Sequence, residues 1–196
     1  MKYFWLIVCM VMLVGCGGEH EHGKTETYTG LTVEEKLPIP EIVERPSFTV
    51  VGMKYRGSNL EGEIGGLWDK FMPRMTEIKN AIFDGVAYGV MDNYTPPDST
   101  DSTKLIGEFD YLACIAVTST DSVPKEMEYW EIPAQTYAVF SFPFSRLIET
   151  YNYALKVWLP KSGYVYAGGP EFEYYPPNFG SVEDSEMKYY IPVEKK

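Results

Sequence analysis

Histidine is almost missing from this chain. The 196 residues hold two, His20 and His22, both in a Glu-His-Glu-His stretch near the N-terminus. That excludes a histidine acid, base or metal ligand from the body of the protein. The pair could hold a metal ion weakly, but no further histidine exists to complete a site. It reads as part of a solvated linker, and no metal and no cofactor are expected. Cysteine is scarce as well: Cys9, Cys16 and Cys114. Cys9 falls in the N-terminal leader and Cys16 directly after it, so Cys114 is left alone and no internal disulfide is expected. Cys114 lies in the apolar run 111–117 and reads as a buried, inert thiol rather than a nucleophile. Basic charge is the third shortage. Lys and Arg number 17 against 28 Asp and Glu, for a formal net charge of -11. So acidic a chain is a poor nucleic-acid binder and suits cationic or neutral ligands better. Finally, no apolar run reaches the roughly 20 residues that a membrane-spanning helix requires.

What is present at the N-terminus is a targeting pattern. Lys2 precedes an uncharged apolar run, Tyr3 to Val14, and Leu13-Val14-Gly15-Cys16 closes it. The run has the length of a signal-peptide core. The tetrapeptide is similar to the bacterial lipobox, whose cysteine is lipidated after cleavage just before it. The expectation is a signal peptide over residues 1–15, a polar tether over 16–40, and one domain over 41–196. Lipidation at Cys16 would anchor that domain stably to a membrane. It would lie in the bacterial cell envelope, facing the periplasm or the exterior. Oligomeric state is not legible.

Within residues 41–196 one pattern occurs twice. In the first half, Phe48–Tyr55 alternates like a strand and Gly66–Ile78 has helical spacing, with Leu67, Phe71, Met75 and Ile78 on one face. Pro73 predicts a kink there, or a later helix start. Strands follow over Val86–Met91 and Phe109–Val117. In the second half, Gln135–Phe142 is a strand and Ser145–Leu159 a helix. Ser145 is its candidate N-cap and Pro160 its stop. Strands follow around Phe172 and over Met187–Val193. Each half is β-α-β-β. Two such pseudo-symmetric units predict an α+β fold: a mostly antiparallel sheet, two main helices on one side, and a cleft between the halves.

The most unusual segment is Gly168-Gly169-Pro170-Glu171-Phe172-Glu173-Tyr174-Tyr175-Pro176-Pro177. Glycine and proline bracket a short strand. Alternation puts Glu171, Glu173 and Tyr175 on one face, Phe172 and Tyr174 on the other. Folding does not need carboxylates among aromatic rings. Such an acid is expensive unless something positive or hydrogen-bonding meets it. Glu173 is therefore the centre of the candidate site, with Glu171 its less favoured neighbour.

The second half also resembles the GyrI-like (gyrase-inhibitor-like) small-molecule-binding domain, which serves as the effector-binding domain of AraC-type and multidrug-sensing regulators. The resemblance rests on Ile132-Pro133-Ala134, Tyr137-Ala138-Val139-Phe140 and Trp158-Leu159-Pro160-Lys161-Ser162-Gly163-Tyr164. Gly169-Pro170-Glu171-Phe172-Glu173-Tyr174-Tyr175 and Tyr190-Ile191-Pro192-Val193 complete it. The first half matches only in its β-α-β-β order, with Gly89 near the position of the strand glutamate. The resemblance implies a cleft for lipophilic, often cationic aromatic molecules, and it implies that Glu173 touches the ligand. Some relatives hydrolyse strained electrophiles with that glutamate. The family's regulators carry a DNA-binding domain, and here a lipoprotein-like leader stands instead.

Aromatic rings attract organic cations by about 0.5–2 kcal/mol each. The candidate pocket walls are Trp68, Tyr88, Tyr111, Tyr137, Trp158 and Tyr175. The favoured reading is a membrane-anchored binder of small lipophilic cations, with no nucleic-acid partner. A hydrolase using Glu173 as general base is the second reading, and a structural or interaction lipoprotein the third.

Overall fold

The computed structural model describes residues 38–97, 107–180 and 184–196. The leader and most of the tether, including Cys16 and both histidines, lie outside the described residues. Nine strands form one sheet, and the helices pack on one of its faces. The strands are β1 (Glu41–Arg45), β2 (Phe48–Gly57), β3 (Ala87–Thr95), β4 (Glu108–Val117), β5 (Glu128–Ile132), β6 (Gln135–Pro143), β7 (Tyr164–Tyr166), β8 (Glu171–Tyr175) and β9 (Glu186–Lys195). Their order is β1-β6-β9-β8-β3-β4-β2-β5, with β7 pairing β9. Every registered pair is antiparallel.

This order contains the expected two-fold repeat. β6-β9-β8 mirrors β2-β4-β3, and β8 and β3 meet antiparallel in the middle. Each half also receives an edge strand from outside its own β-α-β-β unit. β1 pairs with β6, and β5 pairs with β2.

Those edge strands dictate the shape. β1 is first in the order and β2 seventh, so six strand spacings separate them. In a flat sheet that is roughly 29 Å. Only Pro46 and Ser47 join them, and so short a link reaches about 10 Å. Pro133 and Ala134 join β5, eighth, to β6, second, across the same six spacings. The sheet must therefore roll until its ends meet. The inside of the roll is filled by Val50, Tyr88, Val90, Leu112, Cys114, Ile132, Tyr137, Phe172 and Tyr190, all buried. Arg45, at the crossover, lies over the rings of Phe48, Phe172 and Tyr190 at 4.6, 5.3 and 5.3 Å.

The outer face carries the helices. Helix α1 (Glu63–Phe71) buries Ile64, Leu67, Trp68 and Phe71. It starts earlier than the sequence spacing suggests, with Gly62 at its N-cap, and Asn59 Oδ1 accepts the Ile64 N–H at 3.0 Å. It gives way to a 3₁₀ turn, Met72–Glu77, with Pro73 in that turn's first positions, where a missing N–H is harmless. In the second half a 3₁₀ turn, Phe144–Arg146, leads into α2 (Leu147–Tyr153). The helix continues as a π-helical turn, Ala154–Trp158, and closes at Leu159–Lys161. Ser145 does not cap it as expected. Its N–H and hydroxyl both bond the Asp184 carboxylate instead, at 2.9 and 2.8 Å. Pro160 sits inside the last turn rather than ending it. Among the described residues, no helix is long and apolar enough to cross a membrane.

Candidate ligand-binding site

The alternation of β8 holds. Phe172 points into the roll with Tyr88 and Tyr137, and Glu173 points to the helical face. There it lies in the middle of the sheet, directly opposite Gly89 of β3. That glycine is a requirement. A Cβ at position 89 would collide with the Tyr111 hydroxyl and the Glu173 carboxylate. The two-fold mate of the acid is thus the residue without a side chain, and the carboxylate occupies space that both halves surround.

Three phenols enclose it. Tyr151 of α2 donates to Glu173 Oε1 at 2.6 Å. Tyr111 of β4 and Tyr175 of β8 donate to Oε2 at 2.7 and 2.6 Å. Trp68 of α1 donates its indole N–H to the Tyr111 hydroxyl at 3.0 Å. Its ring meets that of Tyr175 edge-on, with centroids 5.4 Å apart. Both helices, one from each half, therefore contribute to the same cluster. Glu173 is only 5 % exposed. No ion pair with it is found among the described residues.

Burial pushes the Glu173 carboxyl above the ordinary glutamate range, and the three tyrosine hydrogen bonds oppose that rise. Burial, joined by the Glu173 charge, drives all three tyrosines well above their ordinary range. They keep their protons and act as donors. A carboxylate offers about four lone-pair directions, and the phenols take three.

Glu171, two residues before it, is half-buried on the same face. It accepts a hydrogen bond from Tyr189 of β9. Burial raises its carboxyl too; the Tyr189 and Tyr166 hydroxyls oppose this, and the Asp92 charge adds to it.

Of the six wall residues proposed from sequence, the structure brings Trp68, Tyr111 and Tyr175 to Glu173. It places Tyr88 and Tyr137 elsewhere. Both point into the roll, where Tyr137 packs on Phe172 at 5.2 Å and Tyr88 on Phe48 at 5.3 Å. They cannot share a pocket with Glu173, because the sheet lies between. Strand parity is the reason: Tyr88 adjoins Gly89 and so faces the other way. Trp158 is on the helical face, but its ring contacts are Phe140 at 5.4 Å and Tyr164 at 6.3 Å. Sequence reading missed Tyr151, within the Ser145–Leu159 helix, as a partner of Glu173. It also passed over Tyr189, whose ring lies 4.0 Å from that of Tyr151. A surface depression lies at the crossover, lined by Glu44, Arg45, Pro46, Ala134, Gln135 and Thr136. It is an open groove on another part of the molecule.

Residues 41–193 match the family described as Cass2, integron-associated effector binding protein. This chain belongs to that family. The Cass2-type domain is 35% identical over 156 residues to the transcriptional regulator BrlR of Pseudomonas aeruginosa, a match that covers 78% of this chain and 54% of BrlR. The chain thus spans about half the length of that curated relative. Among solved structures, the integron cassette protein VCH_CASS2 from the mobile metagenome of Vibrio cholerae superposes with a TM-score of 0.54 at 22% identity. That superposition covers 79% of this chain and 95% of the cassette protein. SAV2435, solved bound to tetraphenylphosphonium, superposes with a TM-score of 0.57 at 16% identity, over 79% and 93% of the two chains. Likeness at such identity establishes the shared α+β fold.

The raised Glu173 carboxyl makes stability depend on pH. The folded state holds this proton more tightly than the unfolded chain does. Its contribution is full below the unfolded glutamate pKa and is lost as pH rises through the folded value. Glu173→Gln lacks this loss. Denaturant titrations from pH 4 upward are expected to show wild type losing stability relative to Glu173→Gln as pH rises. Parallel stability curves would show that the acid is not destabilised by burial.

Proposed function

We propose that this domain captures small lipophilic, aromatic cations between α1 and α2, with Glu173 as the charge partner. One observation carries the reading: a nearly inaccessible carboxylate, at the junction of two halves, surrounded by rings and, among the described residues, by no cation. Neutral phenols soften its desolvation but do not cancel its charge, and a buried charge without a counter-charge costs several kcal/mol. An organic cation would supply the missing charge and lay its rings against Trp68, Tyr151 and Tyr175. Membership in an effector-binding family supports this, and so does the cation held by SAV2435.

The closed state of the cluster favours a second reading, in which the cleft is filled by its own side chains and the cluster is architectural. Electrostatics favours capture. A packed apolar residue would serve architecture at position 173 without the cost of burying an acid. Access requires one phenol to swing away. Tyr111 and Tyr175 stand on strands of the sheet, whereas Tyr151 rides on α2, three residues before the π-helical turn begins. Such turns are frequent at functional sites, and Tyr151 is the side chain we assign to the opening.

Tetraphenylphosphonium is the first probe. Glu173→Gln is expected to weaken its binding tenfold or more, about 1.4 kcal/mol. Wild-type affinity is expected to rise with pH, because the cation selects the ionised carboxylate and releases its proton. The mutant is expected to lack this dependence. Equal affinity of the two proteins at every pH, or no binding to either, would sink the capture reading.

The same proposal places the domain in the cell envelope on a lipid attached to Cys16. The support is the leader sequence alone. Mass spectrometry of the full chain expressed in bacteria is expected to find acyl groups on wild type, and Cys16→Ser is expected to be unacylated and released from membranes. Unchanged membrane partition of the mutant would refute the anchor.

A further inference from the structure

We infer that Glu171 is a second charge-recognising residue of this site, so that the site prefers flat aromatic dications to monocations of the same shape. The inference rests on the capture reading above and adds the charge number of the ligand.

Glu171 and Glu173 share one face of β8 and stand two residues apart. Their Cα atoms are separated by roughly 6.6 Å along the strand. Each carboxylate is met by phenols, and the two sets touch. Tyr189 donates to Glu171, Tyr151 donates to Glu173, and their rings are 4.0 Å apart and nearly perpendicular. The two acids are thus ends of one aromatic-lined floor. Glu171 is half-buried and Glu173 almost fully buried, so Glu171 is the end nearer to water.

Charge on this floor is all of one sign. The charged side chain that acts on Glu171 is Asp92 of β3, another acid. Among the described residues, no ion pair involves Glu171 or Glu173. Elsewhere the protein does neutralise its buried acid. Asp110 is met by Lys54 at 3.1 Å and Arg56 at 3.3 Å. A sheet that pairs one inward acid with two cations and, among the described residues, leaves two neighbouring acids with none leaves room for two positive charges from outside. Among the described residues, Thr150 Oγ1, next in sequence to Tyr151 on α2, is buried without a hydrogen-bond partner. A monocation seated on Glu173 would leave the Glu171 charge uncompensated. A planar bis-cation, with charges about one strand repeat apart, would meet both.

Two probes of one shape isolate charge number: methyl viologen, a bis-quaternary bipyridinium, and N-methyl-4-phenylpyridinium, its singly charged analogue. Titration calorimetry on the full chain at pH 8 is expected to give at least a tenfold preference of wild type for the dication. Glu171→Gln is expected to cut that preference at least tenfold, weakening the dication far more than the monocation. Glu173→Gln is expected to weaken both. Tyr189→Phe keeps the carboxylate and removes only its phenol, and it is expected to retain the preference. This variant keeps the test decisive if Glu171→Gln folds poorly. Monocation binding with no preference for the dication, or a Glu171→Gln variant that loses both probes equally, would overturn the role of Glu171 alone. Failure of wild type to bind either probe would overturn both this role and the capture reading.

Discussion

Two dipeptides tie opposite ends of the sheet together, and the position of everything else follows from them. Pro46-Ser47 and Pro133-Ala134 are far too short to cross a flat sheet, so the strands roll until the ends meet. The roll gives the two faces different tasks. Its inner face has space only for side chains, and Tyr88, Tyr137, Phe172 and Tyr190 fill it. The outer face must be covered by helices, and each half supplies one. β3 and β8 come to lie at the centre, and the residue opposite Gly89 is placed where both helices can reach it.

An acid in that position is a costly choice. Desolvation disfavours its charge, and among the described residues it is met by three phenol donors rather than a lysine or arginine. Phenols stabilise a carboxylate without removing its net charge. On the capture proposal, the site remains folded when empty and still attracts a cation. The contrast with Asp110, which meets both Lys54 and Arg56, shows that the same sheet can neutralise an acid where it needs to. In Glu171 and Glu173 the structure combines a floor of like charge with walls of aromatic ring.

Much of this was legible in the sequence. Alternation along β8 separated Glu173 from Phe172 correctly, and the repeated β-α-β-β order gave the mostly antiparallel α+β sheet with its helices on one side. Gly89 was already aligned with the glutamate. That alignment carried a further consequence that went unread: if Gly89 faces Glu173, then Tyr88 beside it faces away. Tyr137 needed more, because its face depends on the register of β6 with β9, which no local pattern specifies. The edge strands β1 and β5 were missed because they are five residues each, Glu-Ile-Val-Glu-Arg and Glu-Tyr-Trp-Glu-Ile, with charged side chains at exposed positions. Tyr151 was hidden by helical periodicity, in which a tyrosine facing the core looks like packing until its hydroxyl finds an acceptor.

The most direct test of Glu173 as the capturing charge is a crystal structure of the domain grown with tetraphenylphosphonium. The expected result has the phosphonium centre against the Glu173 carboxylate, the Tyr151 hydroxyl withdrawn from Oε1, and phenyl groups against Trp68 and Tyr175. A structure with the cation in the groove beside Arg45, and with the three phenols still closed on Glu173, would contradict it.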